Sequence, residues 1–421
     1  MTPEQPTRLA RRLGTTDAVV IGLGSMIGAG VFAAIGPAAR AAGNGLLLGL
    51  VIAAAVAYCN ATSSAQLAAL YPASGGTYVY GRERLGKFWG FIAGWGFVVG
   101  KLASCAAMAT TFATYATPAF SRPVAAGAVL IVTALNYFGV QKTALATRVI
   151  VTLALCSLSV VVVGALAGGD PSTARLWPLV NTSPYGVLQS AGLLFFAFAG
   201  YARLATLGEE VVDPARTIPR AIPIALGIAL FVYASVAVSA LLVLDPRALG
   251  EASAPLAAAL DAGRYRFAIP IVRIGAAIAS LGVLLSLVVG ISRTTFAMAS
   301  NGDLPRFFDA VHPRYRVPHR AELAAGVIAA GLAAVADLRF AIGFSSFAVL
   351  LYYAIANASA FTLGPSERKW PRWLAGAGVV GCVVVACSLP WQSVAGGAGL
   401  FAVGTVVYAT QRARAEGERS A

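Results

Sequence analysis

The sequence predicts an all-α polytopic membrane protein with twelve transmembrane helices. Two observations carry this. Of the 421 residues, 58% are hydrophobic and 11% charged, with a mean hydropathy of +0.77; a soluble domain carries about 25% charged residues. Apolar stretches of about the length needed to cross a bilayer recur along the whole chain, at 17–41, 45–69, 88–116, 123–138, 146–167, 187–208, 219–244, 268–293, 321–336, 340–363, 373–390 and 393–411.

The first span is the anomalous one. Its middle reads GLGSMIGAGVFAAIG, residues 22–36, with five glycines. Each glycine weakens a helix by about 1 kcal/mol relative to alanine. Gly24 and Gly28 form a GxxxG, which alone is read equally well as a packing face. The third span carries a lysine, Lys101, about thirteen residues in (WGFVVGKLASC). A charge at the bilayer centre costs at least ~2.5–3.5 kcal/mol on the insertion scale, so Lys101 is a functional candidate; the alternative is a structural lysine bonded to broken-helix carbonyls. The fifth span, ATRVIVTLALCSL, has no ionisable residue at its middle, where Ala154 stands.

The sixth span, SAGLLFFAFAGYARLATLGEE, repeats the anomaly with a central Gly200 among aromatics and Arg203 within the span. Arginine stays charged and suits gating or pairing with Glu209–Glu210. Pro214 and Pro219 then stop and restart helices before the seventh span. The first helix of one set of five spans and the first helix of the next are thus both interrupted, which is the sequence pointer to a transporter site. Unwound backbone is tolerated in lipid only where protein or a cavity satisfies it. The N–H groups at one half-helix end suit a carboxylate and the carbonyls at another suit an ammonium; an α-amino acid presents both.

Charge placement gives orientation. Of the 31 Lys and Arg, 21 fall on the segments that share a side with both termini, 8 on the other side, and Lys101 and Arg203 within spans. This bias predicts cytoplasmic termini. The net charge of +14 is therefore topology and not a nucleic-acid surface. Arg11–Arg12 resembles a twin-arginine signal, but eleven further apolar segments argue against a cleaved, exported product. The five cysteines lie in spans without metal-type pairing, and His312 and His319 share one loop without a carboxylate or cysteine cluster, so no metal or cofactor is expected. Every acidic residue falls in a loop or at a span end; a membrane hydrolase would need intramembrane acids, bases or metal ligands, so no enzyme is expected.

The chain resembles an amino acid permease of the amino acid–polyamine–organocation (APC) superfamily over about its first 365 residues. GSMIGAGVF is similar to the family's first-helix motif, YPASGGTYVYGRERLGKFWGFIAGW (71–95) to its loop between the second and third spans, FFAFAGYARLATLGEEVVDPARTIPRAI (195–222) to its sixth span, and MASNGDLPRFF (298–308) to the loop after the eighth. The resemblance implies an inverted five-plus-five repeat with broken helices 1 and 6 plus two extra helices, and alternating access. The organisation is then a cytoplasmic segment 1–16, repeats 17–167 and 187–363, helices 11–12 at 373–411 and a tail 412–421. It places Gly28 and the N–H groups of Ala29 and Gly30 at the substrate carboxylate. It places the carbonyls of Met26, Phe196 and Ala199 at the ammonium, beside Gly200, with Phe195, Phe196 and Phe198 as lid candidates. Some proton-coupled relatives carry a lysine where Ala154 stands, which leaves Lys101 as the coupling candidate.

The expected protein is a secondary transporter in the cell membrane, monomeric or homodimeric. It takes up an amino acid, neutral because no carboxylate is set to meet a cationic side chain, with a proton or sodium as coupling ion. An exchanger, a cationic amino acid or polyamine transporter, and a transporter-like nutrient sensor are the other readings. Orientation is testable in a version lacking the native cysteines. A cysteine at Ser366 should resist an impermeant thiol reagent applied outside and one at Ser172 should react; the reverse pattern contradicts the orientation.

Overall fold

The computed structural model describes residues 13–71, 75–139, 144–178, 183–201, 204 and 211–420. These residues are almost entirely helical; their one β feature is a bridge between Leu13 and Val211. In chain order the helices are α1 (Thr15–Met26), α2 (Ala29–Ala42), α3 (Leu46–Leu70), α4 (Thr77–Leu85), α5 (Lys87–Ala116), α6 (Ser121–Tyr137), α7 (Ala144–Gly168), α8 (Pro184–Phe198), α9 (Pro214–Val243), α10 (Pro246–Glu251), α11 (Pro255–Asp261), α12 (Ile269–Ser300), α13 (His319–Val335), α14 (Leu338–Phe361), α15 (Arg372–Cys387) and α16 (Trp391–Ser420). Short 3-10 turns join several of them.

The described residues of all twelve expected spans fall mostly on helices, but not all pass a length test; residues 202–203 and 205–208 of the sixth span lie outside the described residues. Among the described residues eight helical segments are long and apolar enough to cross a bilayer, and one of these, Gly30–Leu70, holds the second half of the first span and all of the second. The sixth, ninth and eleventh spans fall on α8, α13 and α15, of 15, 17 and 16 residues. Local chemistry sets the ends. Proline, whose missing N–H costs nothing in a first turn, opens α8, α9, α10 and α11. Asp337 caps α14 by accepting from Arg339 N at 2.9 Å and Phe340 N at 3.1 Å. Gly86, at φ +99°, makes the turn from α4 to α5 in a region that side-chain-bearing residues avoid.

Packing sorts the helices into pillar and rim. The apolar window of α5 is 78% buried, that of α16 only 17%. The pillar α5 packs chiefly on α12 and α14. Rim helices turn large apolar side chains outward, including Ile131, Val163, Phe231, Val327 and Val380, as lipid contact requires.

We call the face carrying residues 75–86, 301–318 and 362–371 the basic face. There α4 is held by ion pairs. Arg82 meets Asp303 at 2.7 Å, and Tyr78 donates to the same carboxylate at 2.6 Å; Arg84 meets Glu367 at 2.5 Å. The motifs at 71–95 and 298–308, far apart in sequence, thus form one clamp. On the opposite face α10 and α11 pack over α2, and the Tyr115 hydroxyl lies 3.3 Å from Phe32 O and 3.4 Å from Leu256 N.

Arg84 and the Gly364 N–H hold the Glu367 carboxyl below its ordinary value. A folded-state pKa below the unfolded one contributes stability that is complete above the ordinary carboxylate range, about pH 4.3, and is lost as pH falls through the folded value. Glu367→Gln should therefore flatten the acid limb of the thermal stability–pH curve in detergent. Asp303→Asn, which leaves a mostly buried guanidinium without its charge partner, should lower stability more, by about 1–3 kcal/mol at neutral pH. Equal, negligible shifts for both variants would show that the clamp does not hold α4.

Candidate functional site

Two interrupted helices meet at the centre of the molecule. The first helix stops at Met26: Ile27 N still reaches Leu23 O at 2.7 Å, but Gly28 (φ −57°, ψ −136°) leaves the helical path and α2 restarts at Ala29. No side chain caps α2, so the first-turn N–H groups of Ala29 and Gly30 are left for a ligand or water. Likewise α8 stops at Phe198 and passes into a 3-10 turn, Ala199–Tyr201. Arg203, Glu209 and Glu210 lie outside the described residues.

The breaks touch backbone to backbone, and this explains the glycines. A Cβ on Gly200 would stand 2.1 Å from Ser25 O and 2.7 Å from Met26 N; one on Gly30 would stand 2.6 Å from Ala197 Cα. No real Cβ fits such distances without displacing main chain. Gly28 faces elsewhere, with a Cβ there falling 1.9 Å from Val283 Cγ2 on α12.

Tyr233 of α9 binds the two breaks together. Its hydroxyl lies 2.6 Å from Met26 O and 3.0 Å from Ala197 O, and its one proton serves both carbonyls. The ring packs edge-on to Phe198, centroids 5.0 Å apart. Tyr353 of α14 gives a weaker counterpart, with its hydroxyl 3.4 Å from Ala199 O. Each carbonyl has two lone pairs, so Met26 O and Ala199 O retain an acceptor site for a ligand.

A cavity of about 110 Å³ opens beside the breaks, several times the ~10–15 Å³ that one water needs. Met26, Gly30, Phe196, Ala199 and Gly200 line it, as do Ser25 and Ala197. The pillar α5 adds Phe97, Lys101, Ser104 and Met108. From α12 come residues between Val283 and Thr294, including Ser286 and Arg293, and with Gly75 they carry the lining from mid-helix toward the basic face.

Lys101 sits halfway along α5, 7% exposed. Its Nζ stands 6.0 Å from the centroid of Phe97, and it makes no hydrogen bond or ion pair with any described residue. No carboxylate occurs among the described lining residues. The site therefore combines a half-helix N-terminus suited to a carboxylate, carbonyls suited to an ammonium, several hydroxyls and one buried lysine.

Of the three phenylalanines picked out as lid candidates, the cavity takes Phe196. Phe195 and Phe198 are fully buried against Tyr353 and Tyr233. Ala154 is buried in α7 and does not line the cavity. Tyr233 and Phe97 escaped the sequence reading. The available signal for Tyr233 was a single phenol in the apolar run ALFVYASVAVS, since a buried tyrosine hydroxyl needs a partner.

A family model described as amino acid permease matches residues 13–410. An uncharacterized transporter of Mycobacterium tuberculosis is 61% identical over 407 residues, covering 97% of this chain and 92% of the relative. Human cationic amino acid transporter 4 is 30% identical over 386 residues, 85% of this chain and 60% of its own. The branched-chain amino acid permease of Bacillus subtilis is 25% identical over 432 residues, 95% and 92% of the two chains. With its broken helices paired around a central cavity and the family model matched along nearly its whole length, the chain belongs to the amino acid permease family.

Proposed function

We propose that the protein is a secondary active transporter that takes up a neutral amino acid across the cell membrane by alternating access, coupled to protons through Lys101. The observation that carries this reading is the pair of helix ends around one cavity that also holds Lys101, unpaired among the described residues. The α-carboxylate sits at the first turn of α2 and the α-ammonium at the carbonyls of Met26, Phe196 and Ala199, with Phe196 beside the side chain. The repeats are 17–167 and 187–363, both termini are cytoplasmic, and Arg203 serves the gate.

The named relatives differ in what they carry, one cationic and one branched-chain amino acids. No carboxylate stands among the described lining residues, which favours a neutral side chain, since a cationic one would face Lys101 without a counter-ion. The lining runs toward the basic face while Tyr115 and α10–α11 close the other, which corresponds to an inward-facing state under this orientation. A protonated Lys101 can donate to carbonyls at the first break and favour one access state; loss of the proton favours the other. A population shift of this kind needs only a few kcal/mol.

Uptake into proteoliposomes, run over a panel of amino acids with and without an imposed pH gradient, tests the reading. Lys101→Ala should bind substrate but lose gradient-driven accumulation, and Lys101→Arg should be held in the charged state, because arginine does not deprotonate. Unchanged pH dependence in Lys101→Ala would make Lys101 structural and move coupling elsewhere, for example to sodium held by the first and eighth spans. Gly28→Val and Gly30→Val should each weaken binding at least about tenfold, equivalent to roughly 1.4 kcal/mol. Normal transport by either folded variant would remove the main-chain site.

A further inference from the structure

On the face opposite the basic face lies a second cleft, of about 450 Å³. Among the described residues it shares no lining with the central cavity. Three helices begin around it. Tyr185 and Gln189 come from the start of α8, Arg339 and Phe340 from the start of α14, and Trp391 and Ser393 from the start of α16. The C-terminal end of α14 meets residues 362–371 of the basic face, so its start lies at the other end of the bundle.

The cleft is built around one arginine. Arg339 is half-buried, and no carboxylate of a described residue comes within 4 Å of its guanidinium. Its Nη2 donates to Gln189 Oε1 at 3.1 Å, and its Nε is enclosed without an acceptor. Of the five N–H donors of a guanidinium, those left for a ligand are therefore on the Nη atoms. Asp337 is already spent as the cap of α14, where it accepts from Arg339 N and Phe340 N. Arg40, near the end of α2, is a second positive charge that acts on Arg339. A guanidinium taken out of bulk water and left without a counter-charge is costly. The first turn of α16 adds donors: Ser393 N and Val394 N reach Pro390 O at 2.8 and 3.1 Å, while Trp391 and Gln392 are the first two helical residues, whose N–H groups have no acceptor within the helix. Ser393 is fully buried in the cleft wall, and its hydroxyl has no partner among the described residues.

We propose that this cleft binds the phosphodiester headgroup of an anionic phospholipid, held by Arg339 and the first-turn N–H groups of α16. The Nη atoms of an arginine match two oxygens of one phosphate, and a helix N-terminus favours the same charge. The surroundings favour a lipid over a free ion. Trp391 is 70% exposed, and Tyr185 and Phe340 are exposed beside it; tryptophan and tyrosine at the ends of spans mark the depth of lipid headgroups. One wall of the cleft, α16, is a rim helix, with Val403 and Val406 exposed further along it as a track for acyl chains. Basic pockets between spanning helices hold anionic headgroups in this way. A bound headgroup ties α14 to α16 and, through Gln189, to α8. The inference is independent of the transport reading.

Native mass spectrometry of the full chain, delipidated in detergent, tests the site with three probes: phosphatidylglycerol, a diacylglycerol with the same chains, and inorganic phosphate. Phosphatidylglycerol should bind saturably, and Arg339→Gln should weaken it about tenfold or more, the size expected when hydrogen bonds to a charged group are lost. Diacylglycerol, which lacks the phosphate, should bind wild type and Arg339→Gln alike. Arg372→Gln removes an exposed arginine at the start of α15, at the basic face, and should change phosphatidylglycerol binding less than twofold. Arg339→Lys keeps the charge without the fork; its affinity should fall between wild type and Arg339→Gln, and it carries the test if Arg339→Gln does not fold. Wild-type affinity for phosphatidylglycerol in Arg339→Gln, or in Arg339→Lys where that variant carries the test, overturns the proposal. So does an equal loss in Arg372→Gln, or an equal loss of diacylglycerol in Arg339→Gln. Displacement of the lipid by millimolar inorganic phosphate also overturns it and assigns the donors to a free anion.

Discussion

The hydroxyl of Tyr233, shared between Met26 O and Ala197 O, is the interaction on which the centre of this protein depends. A chain in lipid cannot leave main-chain polar groups unpaired, and here α1 stops at Met26 and α8 at Phe198. One phenol satisfies a carbonyl on each. Backbone contact between Gly200 and Ser25, and between Gly30 and Ala197, brings the breaks close enough for that. The result is a strip of irregular main chain held in place from behind, with its remaining N–H and C=O groups turned toward a cavity. Under the reading proposed above, substrate recognition through main chain follows from the same constraint that makes the breaks tolerable.

The second constraint is the buried pillar α5. Because it packs against α12 and α14, a residue at its midpoint is removed from both lipid and bulk water. Lys101 occupies that position facing the cavity, with an aromatic ring beside it and no carboxylate among the described lining residues. An uncompensated charge there is costly, and its cost changes with anything that enters or leaves the cavity. The clamp of Arg82, Asp303, Arg84 and Glu367 on the basic face and the Tyr115 contacts on the other hold helices together toward the two ends of the bundle.

Much of this was legible in the sequence, for physical reasons that differ by element. The breaks were legible because glycine-rich interruption of an apolar span is rare and occurred twice. Helix positions were legible because hydropathy reports lipid contact. The length rule under-counts spans at α8, α13 and α15, whose 15, 17 and 16 residues fall short of the about 20 that a full crossing takes. The split among Phe195, Phe196 and Phe198 was not legible. It depends on which face of α8 meets Tyr353, Tyr233 or the cavity, and apolar composition all around a buried helix carries no such direction. Tyr233 was missed because its partner atoms are main-chain carbonyls, which leave no mark in sequence. Glu322 was assigned to a span end and does stand in the first turn of α13, but it is only 2% exposed; burial of a helix end depends on neighbours that hydropathy does not show.

The most direct measurement of main-chain recognition is competition against uptake of a transported amino acid by two of its derivatives, the carboxamide and the decarboxylated amine, each with the side chain unchanged. Recognition at the half-helix ends requires both the carboxylate and the ammonium next to it, so neither derivative should compete at concentrations where the parent amino acid does. Competition by the amine or the amide with the parent's potency would show that side-chain contacts hold the substrate, and would contradict the account of the broken helices given above.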